Sequence, residues 1–264
     1  MDLNKWKKKI TCGITGHTGS IGKNLIKNKK NFKFFYFKRD ITKKKEVENW
    51  VNKNNFDLII HLAAIVPIKL VNRNKKMAFD VNVTGTKNLV GSILKKKKKI
   101  KWFFFASTSH VYSSSKKKIK ENFPIKPITY YGKTKYLGEK QIKRLKSKKI
   151  KFCIGRIFST TNSNQRKNYL VPDLKKKIKS SKKQITLENL NHYRDFISVD
   201  DIGKIILNFS KKEIKGTVNI ASGKKTKLTK IAKIIGKKYK KKVYFKENNK
   251  STYLIANNNL LKKN

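Results

Sequence analysis

The stretch "ITCGITGHTGSIG", residues 10–22, joins a run rich in β-branched and apolar residues to a glycine-rich turn and then to the start of a helical pattern. Ile10 to Thr15 reads as a strand. Gly16, Gly19 and Gly22 follow three residues apart, and a helix is expected from about Ser20. Glycine allows a tight turn and a close backbone approach, and the free N–H groups of a helix N-terminus attract a pyrophosphate. The spacing is G-x-x-G-x-x-G rather than the commoner G-x-G-x-x-G, so its place in the chain has to carry the reading. That place is the first strand-to-helix junction of an alternating pattern. Gly16, His17, Gly19, Ser20, Ile21 and Gly22 are therefore candidate nucleotide-binding residues.

Outward from this turn the alternation continues. "FKFFYF" (32–37) precedes a helical segment near residues 44–53, and "FDLIIHLAA" (56–64) precedes a long one near 75–94. "KIKWFFFAST" (99–108) and "KIKFCIGRIF" (149–158) flank a helix that contains "YYGKTK" (130–135). Strands that are apolar on both faces and alternate with helices predict a doubly wound parallel sheet of the Rossmann type. Past residue 157 the rhythm loosens through "SSKKQITLENLNHYRDF" (180–196) and "GTVNIASG" (216–223). Residues 1–157 are expected to form the nucleotide-binding domain. Residues 158–264 mostly form a smaller α+β substrate-binding lobe, with a return segment near 196–212.

Composition narrows the function classes. The chain of 264 residues carries 68 Lys and Arg against 15 Asp and Glu, a formal charge of +53. Only six of the basic residues are arginines, the better readers of phosphates and bases, and the lysine runs are spread along the whole chain. That spread, with abundant Asn and Ile, reads as a solvated surface shaped by coding bias. It predicts no specific nucleic-acid partner. Cys12 and Cys153 lie in separate strand-like runs, which points to a reducing compartment. The N-terminus lacks an apolar signal core and no apolar run would span a bilayer, so a cytoplasmic location and no membrane partner are expected.

The second strand ends in Lys38, Arg39 and Asp40. An acid here would bind the ribose hydroxyls of NAD, whereas a base would accept the 2′-phosphate of NADP. Arg39 tilts the expectation towards NADP(H) over NAD(H), with Asp40 and Ile41 placed near the adenine.

"PITYYGKTKYLGEK" (127–140) holds two copies of Tyr-x-x-x-Lys, Tyr131 with Lys135 and Tyr136 with Lys140. At ~100° per residue, Lys135, Gly138, Ile142 and Leu145 all fall within roughly 40° of Tyr131. That face packs inward, and Tyr136, Lys140 and Lys143 are expected towards solvent. A free tyrosine is a poor acid or base near neutrality, and an ammonium one turn away would stabilise its phenolate. Ser107, Thr108 and Ser109 end the fourth strand, where parallel sheets bind their ligands.

With these residues in place, the chain resembles the extended short-chain dehydrogenase/reductase family, in its nucleotide-sugar epimerase, dehydratase and reductase branch. The resemblance rests on "TGHTGSIG", "DLIIHLAA", "DVNVTGTKNLV", "ASTSHVY", "YYGKTKYLGE", "RIF", "YRDFISVDDI" and "VNIASG", in that order. It implies Thr108, Tyr131 and Lys135 as the catalytic set, with Lys135 also on the nicotinamide ribose. It further implies that Leu62, Ala63, Ala64, Asn82, Ser107 and Phe158 border the cofactor. Ser109 and Arg194 would face the substrate, Arg194 at its diphosphate unless it pairs with Asp195. Ser113 and Ser159 depart from the family's usual Gly and Asn. His61 is expected to be structural, His17 and His110 to line the pocket, and no metal is expected. Relatives that dehydrate carry Asp-Glu where this chain has Ser109-His110, which argues against dehydration. The short segment before "DLIIHLAA" and the "RDIT" at 39–42 resemble the 4-keto-sugar reductases, with a 4-epimerase as the competing reading and a non-catalytic RNA-binding protein as the alternative of another class. Expected partners are a nucleotide-sugar substrate and a second copy of the chain in a homodimer.

Overall fold

The computed structural model describes residues 9–27, 30–66, 68–161, 169–246 and 250–264. Its centre is a six-stranded parallel sheet. In chain order the strands are β1 (Ile10–Thr15), β2 (Phe32–Tyr36), β3 (Leu58–His61), β4 (Trp102–Thr108), β5 (Lys151–Ile157) and a sixth, Gly216–Ile220. Across the sheet they lie in the order Gly216–Ile220, β5, β4, β3, β1, β2. Chain direction across the sheet therefore reverses at β1 and β3, where Thr15 pairs with His61. In doubly wound sheets such a reversal opens a crevice at the carboxyl ends of the strands.

Period-2 alternation sorts the side chains of β4. Trp102 and Phe104 join the hydrophobic cluster on one face. Phe103 and Phe105 join the cluster on the other. The first face is covered by α1 (Ser20–Lys27) and by the helix Val199–Lys212, which supplies Ile202, Ile206 and Phe209. The second is covered by α2 (Lys44–Lys53) and the helices Gly85–Lys95 and Tyr130–Lys143. Both cysteines are fully buried in this sheet, Cys12 in β1 and Cys153 in β5. Burial pushes the Cys153 thiol up to about 12, so it stays protonated and unreactive.

The segment "GTVNI", which sequence rhythm assigns to the smaller lobe, instead completes the sheet beside β5. Its short apolar core, Val218 and Ile220, is that of a buried edge partner, which periodicity alone does not distinguish from a lobe strand. A separate cluster gathers Leu174, Ile178, Leu187, Leu190, Leu228 and Ala232 from the helices Leu170–Ser180 and Leu228–Lys238 and the strand Gln184–Glu188 with its neighbourhood. The expected long helix is interrupted: after Lys75–Phe79 comes one π-helical turn, Asp80–Thr84, before Gly85–Lys95 resumes the α-helix. No helix among the described residues is long and apolar enough to cross a membrane.

Candidate active site

The turn after β1 has a shape that only glycine permits. Gly16 adopts φ +72°, and a Cβ there would lie 2.6 Å from the Ala63 nitrogen. A Cβ on Gly22 would lie 2.5 Å from the Gly16 carbonyl oxygen. The N-terminus of α1 is thereby drawn tight against the turn, with the Gly19 N–H donating to Gly16 O at 3.1 Å. Leu62 and Ala63 form the opposite wall: their N–H groups donate to the Thr15 carbonyl and the Thr15 hydroxyl. His17 sits against Tyr36 at the end of β2, with ring centroids 5.0 Å apart. Its Nδ1 is buried and has no partner among the described residues. A cradle whose walls leave no room for a Cβ, opening on a helix N-terminus, fits the pyrophosphate of a dinucleotide.

At the end of β2, Asp40 Oδ1 accepts from both the N–H and the hydroxyl of Thr42, at 2.9 and 2.8 Å. These bonds hold its carboxyl below the usual range. Arg39 stays exposed beside it. Ile41, expected near the adenine, is buried against Gly85, where a Cβ would come within 2.6 Å of its side chain.

The helix Tyr130–Lys143 starts on a Thr129 cap whose hydroxyl accepts from the Gly132 N–H at 3.0 Å. Tyr131, Lys135, Gly138 and Ile142 are buried, and Lys140 and Lys143 are exposed. Tyr136 is not fully solvated. It packs partly against the cluster of Val111, Tyr112 and Phe158, with Lys140 Nζ 5.1 Å from its ring centre. Tyr131, by contrast, meets the end of β4. Burial pushes its phenol well up, Tyr169 adds to the rise, and a hydrogen bond with Thr108 opposes it.

Lys135 Nζ stands over the Phe105 ring at 4.2 Å. Burial lowers its ammonium to about 7, against the pull of Glu139. Burial works against the ammonium charge expected to stabilise the Tyr131 phenolate, while Glu139 supports it. The sequence showed the pairing but not the depth of burial.

Several residues expected to border the cofactor also have protein partners. Asn82 sits in the π turn, and its Oδ1 accepts from the Ile65 N–H at 2.8 Å. Its Nδ2 donates to Ile65 O and to Thr134 Oγ1, both at 3.1 Å. Asn82 thus ties the loop after β3 to the helix Tyr130–Lys143. Ser107 donates to Glu139 Oε1 at 2.5 Å. Phe158 is buried in the cluster with Tyr112 and Leu254.

Sequence reading missed the charged network behind the site. Glu139 is fully buried and accepts from Arg156 Nε at 3.0 Å and from Arg156 Nη2 at 2.8 Å. Arg156 Nη1 also donates to the Tyr112 hydroxyl at 2.7 Å, and that hydroxyl donates to Asn219 Oδ1 at 2.9 Å. The available signal was Glu139 one helical turn beyond Lys135, a scarce acid in a basic chain.

Arg194 does not pair with Asp195. Its Nη1 donates to Tyr193 O and Thr252 O, at 2.9 and 3.1 Å. Asp195 instead accepts from Ser222, Gly223 and Ala256 N–H groups and the Ser222 hydroxyl. Arg194 is close enough for its charge to act on His110, whose imidazole is lowered to about 4, first by burial and then by that charge. His61 bridges Thr15 and Thr86, as expected of a structural histidine, and Ser109 is buried after Thr108.

Comparison with known proteins places the chain in a family. Residues 15–262 match the family model described as GDP-mannose 4,6 dehydratase. The chain is 32% identical over 219 residues to the GDP-6-deoxy-D-talose 4-dehydrogenase of Aggregatibacter actinomycetemcomitans, covering 80% of this chain and 74% of that one. It is 28% identical over 252 residues to a putative UDP-glucose 4-epimerase of Methanocaldococcus jannaschii, covering 84% and 80%. In fold it is similar to the UDP-glucose 4-epimerase of Thermus thermophilus in complex with NAD, with a TM-score of 0.84 at 16% identity over 96% of this chain and 92% of that one. RMD from Pseudomonas aeruginosa complexed with NADPH gives a TM-score of 0.85 at 16% identity, over 97% and 90%. The protein is a Rossmann-type enzyme of the short-chain dehydrogenase/reductase class. It belongs to the extended, nucleotide-sugar epimerase, dehydratase and reductase family of that class.

Proposed function

We propose that the protein reduces the 4-keto group of a nucleotide-activated sugar, with NADPH preferred to NADH. The observation that carries this reading is the Thr108–Tyr131 hydroxyl pair at the carboxyl end of β4, with Lys135 one helical turn away. A nicotinamide cofactor would be held by the Gly16–Gly22 cradle and by Lys135, and it supplies the hydride. Thr108 and Tyr131 hold the oxygen of the reacting carbon. A phenol kept protonated by burial is suited to giving its proton to that oxygen as negative charge develops there. The same elevation leaves little phenolate to act as the base in the oxidative first step of an epimerase. Arg194, kept cationic close to the cleft, binds the substrate's diphosphate.

NADPH preference is supported by Asp40, whose carboxylate is engaged by Thr42 while Arg39 stays exposed beside it. Belonging to this enzyme family sets aside the non-catalytic alternative. The competing reading is 4-epimerisation, favoured by the M. jannaschii relative described as a putative epimerase. Identifying the nucleotide handled by the purified protein separates the two. Net consumption of NADPH with a 4-keto nucleotide sugar supports reduction. Tightly retained NAD, with interconversion of two 4-epimers and no net nucleotide change, supports the epimerase.

A further inference from the structure

Residues 95–101 read "KKKKKIK" and residues 143–151 read "KRLKSKKIK", with no acid in either run. The first leads into β4 and the second into β5. These strands are parallel neighbours, with Trp102 paired to Lys151, so both runs meet at the amino ends of the strands. Two of their lysines turn inward and fix the meeting. Lys96 Nζ donates to the Val51 and Asn52 carbonyls towards the end of α2, at 2.8 and 3.4 Å. Lys148 Nζ donates to Lys96 O at 3.1 Å.

The remaining cations of this rim face outward. A helix C-terminus favours a cation within its last turn, which accounts for Lys95 and Lys143 at the ends of their helices. It does not reach Lys97, Lys98 and Lys99 beyond the helix end. Lys95, Lys101 and Lys151 have carboxylate partners in Glu48, Asp57 and Glu213. Lys97, Lys98, Lys99, Lys146 and Lys149 are exposed and have no carboxylate partner among the described residues. Like charges held this close repel one another, and an anionic surface laid against them relieves that repulsion.

We propose that this lysine rim docks the protein on an anionic lipid bilayer through the lipid headgroups. Point charges suffice there, because each cation near such a surface adds to the attraction. A single-stranded nucleic acid instead uses exposed aromatic rings for stacking. The two runs contain none, and Trp102, next to the first, is fully buried. The one arginine of the rim, Arg144, donates to Gln141 Oε1 at 3.0 Å, so forked recognition of nucleic-acid phosphates has little to work with. Headgroup docking requires no membrane-spanning helix, and in this it departs from the expectation of no membrane partner. It also leaves the cleft open, since Thr108 ends β4 at the opposite end of the strand, ~20 Å from Trp102.

Vesicle co-sedimentation at about 0.15 M salt tests the rim. The vesicles are phosphatidylcholine alone, or phosphatidylcholine mixed three to one with phosphatidylglycerol. One variant combines Lys97→Gln, Lys98→Gln, Lys99→Gln, Lys146→Gln and Lys149→Gln, and a second places Arg at the same positions. A third combines Lys175→Gln, Lys176→Gln, Lys179→Gln, Lys237→Gln and Lys238→Gln, all exposed on the two helices of the smaller lobe. The first and third lower the net charge equally. Thermal midpoint and NADPH binding serve as folding controls. The wild type is expected to bind the mixed vesicles and not phosphatidylcholine alone. The rim Gln variant is expected to bind them about tenfold or more weaker, whereas the rim Arg and lobe variants stay within about threefold of the wild type. Equal losses in the rim and lobe Gln variants would trace binding to net charge alone and overturn the proposal. A wild type that ignores the mixed vesicles, or that prefers a single-stranded RNA oligonucleotide to them, overturns it as well.

Discussion

Thr15 and Thr86 take opposite nitrogens of one imidazole: Thr15 Oγ1 lies 2.7 Å from His61 Nδ1, and Thr86 Oγ1 lies 2.9 Å from His61 Nε2. The directions follow from the remaining partners. Thr86 Oγ1 donates to Asn82 O at 2.7 Å, so it must accept from His61 Nε2–H. With the ring neutral and its proton on Nε2, Nδ1 is an acceptor, so Thr15 Oγ1 donates to it while accepting from the Ala63 N–H. The chain runs one way, from the phosphate turn to the π turn, and it requires a neutral His61.

Acid should therefore loosen this bridge first. Burial, followed by the nearby Lys135, lowers His61 to about 3 from 6.5. The unfolded chain binds the proton first, so stability is lost as pH falls below about 6.5 towards 3. His61→Gln removes that titration. The expected result is a shallower fall of the unfolding midpoint between pH 6.5 and 4 in the variant, although it starts lower. Thermal melts of both proteins across that range check it, and parallel slopes would contradict the assignment.

Tyr131 and Tyr136 share a helix but not an environment. Tyr131→Phe is expected to remove nearly all turnover, a loss of about 100-fold or more, while NADPH binding stays unchanged. Tyr136→Phe keeps its ring packing against the Val111 cluster and should remain within about twofold of the wild type. Steady-state rates of both variants decide this, and equal losses would reject Tyr131 as the proton donor.

Glu139→Gln leaves Arg156 buried without its counter-charge. Breaking such a pair costs about 3–5 kcal/mol, seen as a lower denaturation midpoint. It also removes the carboxylate that holds the Lys135 ammonium up. The Lys135 titration, already near 7, should then move to lower pH. The basic limb of NADPH binding should shift the same way. A stable variant with an unmoved limb would show that Glu139 acts on neither group.

Arg39→Ala is expected to weaken NADPH about tenfold while NADH changes little, because only the 2′-phosphate loses a charge-assisted partner. Fluorescence titration of both nucleotides is sufficient. A wild type that binds NADH as tightly as NADPH would remove the main support for that preference.

The sheet was legible because its strands are apolar on both faces and each is punctuated by a turn or a helical pattern. The Tyr131 face was legible from helical periodicity alone. Other features depend on depth and on distant partners. That Lys135 would be buried enough to titrate near 7 follows from Phe105 lying beneath it, and that Ser107 would turn to Glu139 follows from Arg156 on the next strand. Neither relation has a spacing in the sequence. Arg194 beside Asp195 shows the converse: adjacency in sequence suggested a pair, but strand geometry sends the two side chains to different partners.

The π turn at Asp80–Thr84 amounts to one surplus residue within a helix. Removing a single residue there would restore regular winding and leave the flanking helices nearly in register, but it would abolish the bulge itself. Asn82, inside the turn, would then no longer face both Ile65 and Thr134. Length, rather than side-chain identity, is what this segment cannot give up. Substitutions along its exposed side should be accepted freely, whereas a one-residue deletion should free the loop after β3 from the helix Tyr130–Lys143.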